Sequence, residues 1–489
     1  MADVLMSRPY RFGALREQFI ASESVLATLP SDWNVDTLGK WHLYRHPSTK
    51  MIPIEVGGHS VGWLVGEAWE GDRLVRDSLG VSSESELLNR IDGLAGALAA
   101  IVPGRFVRQD SMGQQSVVYS PTAGAVATNP LLIRAACGGD LDRELVDLMD
   151  IPKEDRWYPF GLTPVVGVSR LLPNHRLDLQ TWDALRYWPT PEDVQARPAT
   201  AEEAIEIVRR CVRDSVDALA TGHSLQLGLT AGYDSRIILA CARKHAPTLV
   251  CSTNILHPST EKVDHPVARR VARIAGVPHE TRDQKTSTAE ERADFVDQTG
   301  LSAAGARYRH IALMNAFGEE RVLLYGHGSE VLRGLYHRRL LARKQPFDSF
   351  KNAEVAFSLL KLPFTPRLLK AHDQWVASLP LCSGAAGLSL LYHEQRKGCW
   401  AATLRLSGKS RPVWAFAQRD LLRLMLRLPI EAQLSQDILR GVIAAEWPDL
   451  LRVPFNDMMG LARVLRDVGR LPGIMRFRLG AIRQRLFPR

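Results

Sequence analysis

The spacing of apolar residues divides the chain into two stretches of different texture. Residues 1–195 carry short runs in which apolar and polar residues alternate, separated by glycine, proline, serine or asparagine. The runs are WHLYRHPS, IPIEVGGHSVGWLVGEAW and GRFVRQDSMGQQSVVYSPTAGAVATNP. A period of two is typical of strands buried on one face. We therefore expect a β-rich first part, interrupted by one helix from Ser83 to Ala100 and another from Asp140 to Met149.

Beyond residue 200 the apolar residues recur every three or four positions. Residues 201–222 predict a long amphipathic helix, whose apolar face is formed by Ala204, Ile207, Val208, Val212, Val216 and Leu219. Short apolar strands then alternate with helices, as in SLQLGLT, PTLVCSTNIL and RVLLYGHG. This order is typical of a parallel α/β sheet with crossover helices. Residues 350–489 are expected to be mostly helical, and the proline-rich segment 186–204 to be a linker.

The composition is that of a globular protein with two or three domains. Of its 489 residues, 45% are hydrophobic and 24% are charged. Six cysteines are scattered without a CxxC pair, so neither a disulfide framework nor a zinc site is expected. The sequence shows no apolar leader, and its longest nearly uncharged run, residues 93–104, is too short to cross a bilayer. These features lead us to expect a cytoplasmic protein without a transmembrane segment.

The net charge of +9 is concentrated at the C-terminal end of the chain. Residues 461–489 contain eight arginines and one acid, so most of the excess positive charge lies there. The nearly neutral body does not favour a nucleic-acid groove, and we expect no nucleic-acid partner. The tail has two interpretations. It is an amphipathic helix on an acidic partner or membrane surface, or a solvated helix that packs on its own domain.

One stretch carries candidate chemistry: LQLGLTAGYDSRIILACA, residues 225–242. A buried strand ends there and a helix begins, so the corner presents unpaired N–H groups that favour an anion. Gly232 admits a close ligand, and Thr230 and Ser235 offer hydroxyl groups. Asp234 is suited to hold a Mg²⁺ ion that bridges to phosphate. Alternatively, Asp234 and Ser235 only cap the helix, and these residues alone leave both interpretations open.

This stretch resembles the Ser-Gly-Gly-x-Asp-Ser pyrophosphate loop of the PP-loop ATP pyrophosphatases. The order of further segments resembles the asparagine synthetase family. The segments are GRFVRQDSMGQQSVVYS (104–120), TNPLLI (128–133), GVSRLLPNHRLDLQTWDALRYWP (167–189), VDHPVARRVARIAGVPHE (263–280), VLLYGHGSEVLRGLYHR (322–338) and, as a weaker match, WPDLLRVPFN (447–456). The ordered set is more specific than any one of its members.

The resemblance implies an α/β protein with three regions. Residues 1–195 resemble a class II glutamine amidotransferase domain, which is a β-rich, Ntn-hydrolase-like sandwich. Residues 196–460 resemble the ATP-binding synthetase domain, a PP-loop parallel-sheet domain of the adenine nucleotide alpha hydrolase type with a helical C-terminal part. Residues 461–489 form the basic helical tail. A homodimer is compatible with this architecture.

The resemblance also implies that ATP and Mg²⁺ bind at the corner. The residues implied to contact the nucleotide are Leu229, Thr230, Ala231, Gly232, Tyr233, Asp234, Ser235, Gly326 and Gly328. Asp234 and Glu330 would hold the metal ion.

The candidate catalytic residues are His327, Glu330 and Arg452. His327 is a base or a hydrogen-bonding loop residue. Arg452 is a counter-charge for pyrophosphate or a surface arginine.

Two other residues near the corner have alternatives of their own. Arg236 either contacts ATP or points outward from the first helical turn, and we favour the second. Asp264 either orients the adenylate or caps the helix that follows it, and we favour capping because Asp is a preferred N-cap residue.

The chain departs from the family pattern in both halves. The glutaminase half of the family uses a cysteine at position 2, but this chain has Ala2 and no cysteine before Cys137. We therefore expect no glutamine hydrolysis. The second ligand loop of the family usually reads Gly-Glu-Gly-x-Asp-Glu, and here residues 326–331 read GHGSEV. Two of the three acids are thus replaced, by His327 and Val331.

The expected activity is that of an ATP-dependent ligase. ATP activates a carboxylate of a small molecule or peptide as an acyl-adenylate, and an amine then forms the amide. Without a glutaminase, the nitrogen comes from free ammonia or from the substrate itself, as in β-lactam synthetases and lasso-peptide cyclases. The alternative is a non-catalytic protein of the same fold that binds nucleotide or a partner. Other PP-loop chemistry, such as tRNA modification, is disfavoured by the neutral body and the lack of a CxxC pair.

Overall fold

The computed structural model describes residues 9–12, 16–151, 156–255, 260–283, 287–302, 311, 321–401 and 411–457. Ala2 and the basic tail at 461–489 lie outside the described residues. In the part of the chain that is described, no helix has the length and apolarity needed to cross a membrane. Two mainly antiparallel sheets precede a parallel sheet with helices, which confirms the predicted α/β class.

The first part of the chain is a β-sandwich. Its strands are β1 (Phe19–Ser22), β2 (Asn34–Leu38), β3 (Trp41–Arg45), β4 (Met51–Val56), β5 (His59–Glu70), β6 (Arg73–Leu74), β7 (Leu79–Val81), β8 (Ala95–Val102), β9 (Phe106–Gln109), β10 (Val118–Ser120), β11 (Ala125–Ala127), β12 (Ser169–Arg170), β13 (His175–Asp178) and β14 (Ala184–Arg186). Its helices are α1 (Glu84–Gly93), α2 (Pro130–Cys137) and α3 (Arg143–Met149).

The strands of the sandwich form two sheets that share a core. One sheet has the order β12-β10-β11-β1-β3-β2, and the other has the order β14-β13-β9-β8-β5-β4-β7, with β6 beside β5. Trp41 and Leu43 of the first sheet belong to the same buried cluster as Trp63 and Ile101 of the second. The predicted β-rich sandwich is therefore confirmed, whereas its likeness to a glutamine amidotransferase domain stays a prediction.

The helix predicted from Ser83 to Ala100 is wrong in its second half. Helix α1 ends at Gly93, and the next residues form β8 between β5 and β9. All side chains of β8 are buried. A strand covered on both faces shows no alternation, so its small apolar residues carry no period that separates strand from helix. The helix predicted at 140–149 is present but begins only at Arg143.

The second part of the chain contains a parallel sheet. Its strands are β15 (Ser224–Gly228), β16 (Val250–Ile255), β17 (His279–Asp283), β18 (Arg321–Tyr325) and β19 (Arg411–Trp414), in the order β17-β16-β15-β18-β19. The three predicted strands correspond to β15, β16 and β18. The chain passes from β15 to β16 and β17 and then returns to β18 on the other side of β15. Ligands of open α/β sheets bind beyond the carboxyl ends of the strands at such a reversal.

Helices surround this sheet. They are α4 (Pro191–Gln195), α5 (Ala201–Ala220), α6 (Tyr233–Cys241), α7 (His265–Ala275), α8 (Ala289–Thr299), α9 (Leu335–Ala342), α10 (Ala353–Leu360), α11 (Pro366–Ala377), α12 (Gly384–Leu391), α13 (Arg419–Arg427), α14 (Ile430–Ser435) and α15 (Asp437–Glu446). Short 3₁₀ turns cover Arg243–His245, Ser329–Leu332, Phe347–Lys351 and Pro448–Arg452, and π-helical segments cover Thr260–Asp264 and Tyr392–Ala401.

Helix α5 confirms the amphipathic helix predicted after residue 200. A capping box of Thr200 and Glu203 begins it, and the apolar face is buried as predicted, with Ile207 only partly covered. In the described part of the region predicted as mostly helical from residue 350, the chain also forms strand β19, which was not predicted from the sequence. This strand is short and includes Pro412, a residue tolerated because β19 lies at the edge of its sheet.

A buried polar joint connects the sandwich to the helical part. It consists of Asn174 and Arg186 from the sandwich and Trp375 and Glu394 from the helices. Asn174 Nδ2, Arg186 Nη2 and Trp375 Nε1 donate to the Glu394 carboxylate at 2.8, 2.8 and 2.7 Å. Burial acts to raise the pKa of Glu394, but the charge and hydrogen bonds of Arg186 lower it to about 2. The segment 186–204 is therefore packed at its start, and its role as a domain boundary stays a prediction.

Candidate functional site

Two loops meet where the strand order reverses. The first loop, residues 229–232, joins β15 to α6, and the second loop, residues 326–334, joins β18 to α9. A Cβ at Gly326 would lie 2.7 Å from Cβ of Asp234 and 3.1 Å from the backbone nitrogen of Ser235. Only glycine allows so close an approach. The two stretches that the sequence analysis assigned to one site are therefore neighbours in space.

The first loop is held by its own hydroxyl groups. The N–H of Thr230 donates to Oγ of Ser235 at 3.1 Å, and the N–H of Gly232 donates to Oγ1 of Thr230 at 3.2 Å. The two hydroxyl oxygens lie 3.1 Å apart. Leu229 and Ala231 are fully buried, so their side chains pack in the core. The loop is thus held by hydrogen bonds and packing within the chain.

Two neighbouring segments hold Ala231 in place. The carboxylate of Asp264 accepts the N–H of Ala231 at 2.9 Å, and the N–H of Asn456 donates to the Ala231 carbonyl at 3.0 Å. The predicted capping role of Asp264 is wrong, because this residue makes no side-chain capping bond to α7. Its backbone is already helical, with φ −64° and ψ −49°, whereas an N-cap residue is extended.

Helix α6 begins without a side-chain cap from the described residues. Gly232 occupies the N-cap position. Asp234 and Ser235 lie in the first turn, where Asp234 accepts from Arg333 and Ser235 accepts from the N–H of Thr230. Their interpretation as caps is therefore wrong. Gly232 has φ −78°, and a Cβ there would meet only Oγ1 of Thr230 at 3.4 Å and Oδ1 of Asn456 at 3.6 Å. The fold would accept a side chain at this position. The N–H groups of the first turn favour an anion here.

Asp234 is paired with a cation from the second loop. Nη1 of Arg333 donates to its two carboxylate oxygens at 3.0 and 3.3 Å, and the hydroxyl of Ser329 donates to Oδ1. Removal from water raises the pKa of Asp234 to about 6, and the charge of Arg333 acts against this rise. Arg333 has a further donor, Nε, which is buried and has no acceptor among the described residues.

Glu330 is paired with a second cation. Nζ of Lys397 lies 2.7 Å from Oε1 of Glu330, and the N–H of Gly328 donates to Oε2 at 2.7 Å. Burial acts to raise the pKa of Glu330, but the charge of Lys397 and the hydrogen bond from His327 hold it well below its usual range. Burial lowers the pKa of Lys397, and Glu330 opposes this shift. Gly328 has φ +109° and lies against Phe416, so glycine is required at this turn.

The sequence analysis missed both Arg333 and Lys397. Lys397 is only 1% exposed, and it lies in the π-helical segment Tyr392–Ala401 with His393 and Glu394, which are also buried. Adjacent buried polar residues fit no amphipathic period, so the pattern gives no signal for them. The available signal for Arg333 is its position three residues after Glu330 in a segment already assigned to the site.

His327 lies among aromatic rings. The rings of Tyr325, Trp400 and Trp414 have centroids 5.8, 6.3 and 5.6 Å from that of His327. Nδ1 of His327 lies 3.5 Å from Oε1 of Glu330, and 28% of the side chain is exposed. An imidazole that is oriented by a carboxylate and open to solvent is suited to accept a proton. Its role as a base stays a prediction.

Arg452 lies on the surface. Its side chain is 77% exposed and forms an ion pair with Asp449 at 2.9 Å. Its described contacts include neither loop, so the structure favours the surface interpretation over the predicted counter-charge for pyrophosphate.

Arg236 is fully buried, so both interpretations of it are wrong. Its Nη1 donates to the carbonyls of Val453 at 2.6 Å and Leu450 at 3.1 Å, and its guanidinium lies 3.8 Å from the ring centroid of Phe455. The same ring stacks on Tyr233 at 4.0 Å. One carbonyl of the 3₁₀ turn Pro448–Arg452 and the carbonyl of the residue after it accept Nη1 of the buried guanidinium. Arg236 therefore anchors α6 instead of binding a ligand.

The donor set does not fit a Mg²⁺ ion held directly by Asp234 and Glu330. Magnesium prefers free carboxylate, water and phosphate oxygens in octahedral geometry. Here each carboxylate already contacts a cationic side chain, Arg333 or Lys397. The formal charges of these four groups cancel. In the described part of the chain, no cluster of three or more His, Cys, Asp or Glu side chains is placed to hold a metal ion.

Comparison with known proteins gives one family match. The family model for asparagine synthase matches residues 207–484, a range that includes both loops. A search of curated proteins finds no match. Among solved structures, a glutamine-dependent NAD⁺ synthetase from Acinetobacter baumannii in complex with adenosine diphosphate is 19% identical, with a TM-score of 0.19. That match covers 36% of this chain and 33% of the synthetase, so the chain spans a third of the length of that protein.

Proposed function

The chain belongs to the asparagine synthase family, whose model covers more than half of it, and from this premise we propose that it adenylates a carboxylate and converts it to an amide. Membership in the family makes ATP-dependent ligation the general reaction. One observation carries the proposal. The uncapped N-terminus of α6, the hydroxyls of the first loop and two cations of other elements converge at one end of the parallel sheet.

This convergence suits a triphosphate. The phosphate chain would lie against the first turn of α6, where N–H groups and the hydroxyls of Thr230 and Ser235 are donors. Arg333 and Lys397 come from other elements, the second loop and the π-helical segment, and contact Asp234 and Glu330. Gly232 leaves room for the phosphates to approach the backbone. The site thus offers donors from three elements and little negative charge that is not already compensated.

The reaction would proceed in two steps. An oxygen of the substrate carboxylate attacks the α-phosphorus of ATP, the bond from this phosphorus to the bridging oxygen breaks, and pyrophosphate leaves. Arg333 and Lys397 stabilise the charge that develops on the departing pyrophosphate. The amine nitrogen then attacks the acyl carbon, AMP leaves, and the nitrogen loses a proton. His327, oriented by Glu330, is the proposed acceptor of that proton.

The nitrogen would come from free ammonia or from an amine of the substrate. This part of the proposal depends on Ala2, because a methyl side chain cannot replace a thiol nucleophile. Ring closure within one small molecule or peptide and intermolecular amidation are both compatible with the site. A glutaminase assay of the purified protein tests the premise, and release of ammonia from glutamine at the rate of a working glutaminase would contradict it.

Exchange of labelled pyrophosphate into ATP tests the adenylation step. The assay uses a panel of carboxylic acids, first with the wild-type chain and then with the Thr230→Val and Ser235→Ala variants. Each variant removes a hydroxyl group beside the N-terminus of α6, where the phosphates would bind, so the rate of exchange should fall by about tenfold or more. The matched control is Lys370→Met, which removes an exposed lysine of α11 and should leave the exchange unchanged.

A non-catalytic role is the second candidate, and the pairing of both site carboxylates with cations favours it. A protein that only binds nucleotide needs no free carboxylate for a catalytic metal ion. It would bind ATP in calorimetry and show no pyrophosphate exchange with any carboxylic acid. Absence of ATP binding under all conditions would contradict the ligase and leave only a non-catalytic role in binding a partner.

A further inference from the structure

We propose that this chain carries the counter-ions for the triphosphate in its own side chains, Arg333 and Lys397, so that ATP binds without a divalent cation. The inference rests on the proposed function, because it requires that the site takes ATP. It goes beyond that function by assigning to two side chains the charge compensation that a metal ion commonly provides at a nucleotide site.

The positions of the two cations support this assignment. Arg333 contacts Asp234 at 3.0 Å, and Lys397 contacts Glu330 at 2.7 Å. Asp234 belongs to the first turn of α6, and Glu330 to the 3₁₀ turn beside it. The cations therefore lie where the two loops meet, beside the helix N-terminus that would face the phosphates. A dication placed on either carboxylate would lie within a few ångströms of a fixed positive charge and would be repelled.

Both side chains keep donors for a phosphate while they hold their carboxylates. An ammonium has three N–H donors and a guanidinium has five. Nε of Arg333 is buried without an acceptor among the described residues. A buried donor without an acceptor is costly, so an incoming phosphate oxygen would relieve that cost. Arg333 therefore keeps a donor that no described residue uses.

The second loop has lost the acids that would attract a metal. Its residues 326–331 read GHGSEV, and only Glu330 is acidic. That one carboxylate also accepts the N–H of Gly328 at 2.7 Å, so it helps to shape its own turn. A metal ion would have to displace Lys397, whose side chain is almost fully buried and has little room to move. The single acid of this loop and the two cations beside it point in the same direction.

Calorimetric titration of the full chain with ATP tests the inference. One titration contains Mg²⁺ and the other contains EDTA. We expect the two dissociation constants to agree within about tenfold, which corresponds to 1.4 kcal/mol. Binding with Mg²⁺ and none with EDTA would overturn the inference and leave the proposed function intact. No binding in either titration would overturn the proposed function itself.

Two substitutions locate the charge compensation. Lys397→Met and Arg333→Met should each weaken binding in EDTA by about tenfold or more, because each removes a charge-assisted hydrogen bond to phosphate. Each also frees a carboxylate, so Mg²⁺ should restore part of the affinity in the variant but not in the wild type. Arg333→Lys keeps the charge and should retain most of the binding.

Lys370→Met is the control, since it removes an exposed lysine of α11, a helix that forms neither loop. Thermal unfolding of every variant separates lost binding from lost folding. If both Met variants bind ATP in EDTA as tightly as the wild type, the assignment to these side chains is wrong.

Discussion

The two glycines at the site, Gly232 and Gly326, differ in how much space surrounds them. A Cβ at Gly326 would collide with Asp234 at 2.7 Å, whereas a Cβ at Gly232 would make ordinary contacts at 3.4 and 3.6 Å. Gly326 is needed for the two loops to pack. The fold would accept a side chain at Gly232, and the proposed function gives the glycine a use, because it leaves space for the phosphates.

This difference predicts opposite outcomes for two alanine substitutions. Gly326→Ala should destabilise the chain by about 1–3 kcal/mol, because the loops must move apart. Gly232→Ala should cost less than about 1 kcal/mol, since only a weak N-cap preference is lost, yet it should weaken ATP binding. Thermal unfolding and calorimetric titration of the two variants measure both effects. Equal loss of stability in the two would refute the distinction.

Arg236 shows how a residue at a ligand loop can be structural. Arg236→Met should destabilise the chain by about 2–4 kcal/mol, because the carbonyls of Leu450 and Val453 lose their donor. Denaturant unfolding checks this value. Arg236→Lys should be almost as unfavourable, since an ammonium cannot reach several carbonyls at once. A small effect of both substitutions would show that the guanidinium is not the anchor of α6.

At the scale of elements, the π-helical segment Tyr392–Ala401 has two functions. It places Glu394 in the polar joint with the sandwich and Lys397 against Glu330 in the site. A wider helical turn allows consecutive polar residues to be buried on different sides. Because Glu394 and Lys397 lie three residues apart in this segment, the packing of the sandwich is linked to the position of the positive charge at the site.

Glu394 gives the joint a defined response to acid. Its pKa of about 2 in the folded chain lies below its ordinary value of 4.5. Its stabilising contribution is therefore full above pH 4.5 and is lost as the pH falls towards 2. Glu394→Gln should destabilise the chain at pH 7 by about 3–5 kcal/mol, because Arg186 is left buried without its partner. The variant should also lose less stability between pH 5 and 3 than the wild type, as measured by denaturant unfolding at each pH.

The sequence predicted those elements that carry a clear period and failed where burial removes it. Helix α5 and strands β15, β16 and β18 follow their patterns. Strand β8 is covered on both faces and reads equally well as a helix. The first loop was predicted from its hydroxyls, glycine and acid at a strand-to-helix corner. Lys397 could not be predicted, because its importance lies in a contact between elements that are far apart in the chain. Arg333 had a signal, its place in a segment already assigned to the site.

At the scale of the whole molecule, the two parts share one core. Buried residues of the sandwich, such as Ile20 and Trp69, belong to the same cluster as Val212 and Leu225 of the second part. Nε1 of Trp69 also donates to the hydroxyl of Ser215 at 3.2 Å. Contacts of this kind make independent unfolding of either part unfavourable.

We therefore expect a single unfolding transition for the full chain. Differential scanning calorimetry should give one peak, and tryptophan fluorescence and far-ultraviolet circular dichroism should report the same midpoint. The shared core and the joint at Glu394 are the physical reasons. Two separate transitions would show that the sandwich folds on its own and that its contacts with the second part are weak.

The link between Glu394 and Lys397 has a consequence for exchanging parts between relatives. A chimera that grafts another sandwich onto residues 196–489 would lose the partners of Glu394, and the lysine three positions later would shift with it. The first half of the chain is thus not an interchangeable accessory, even where it performs no reaction. The sandwich contributes to the scaffold that holds an ammonium group in the other half.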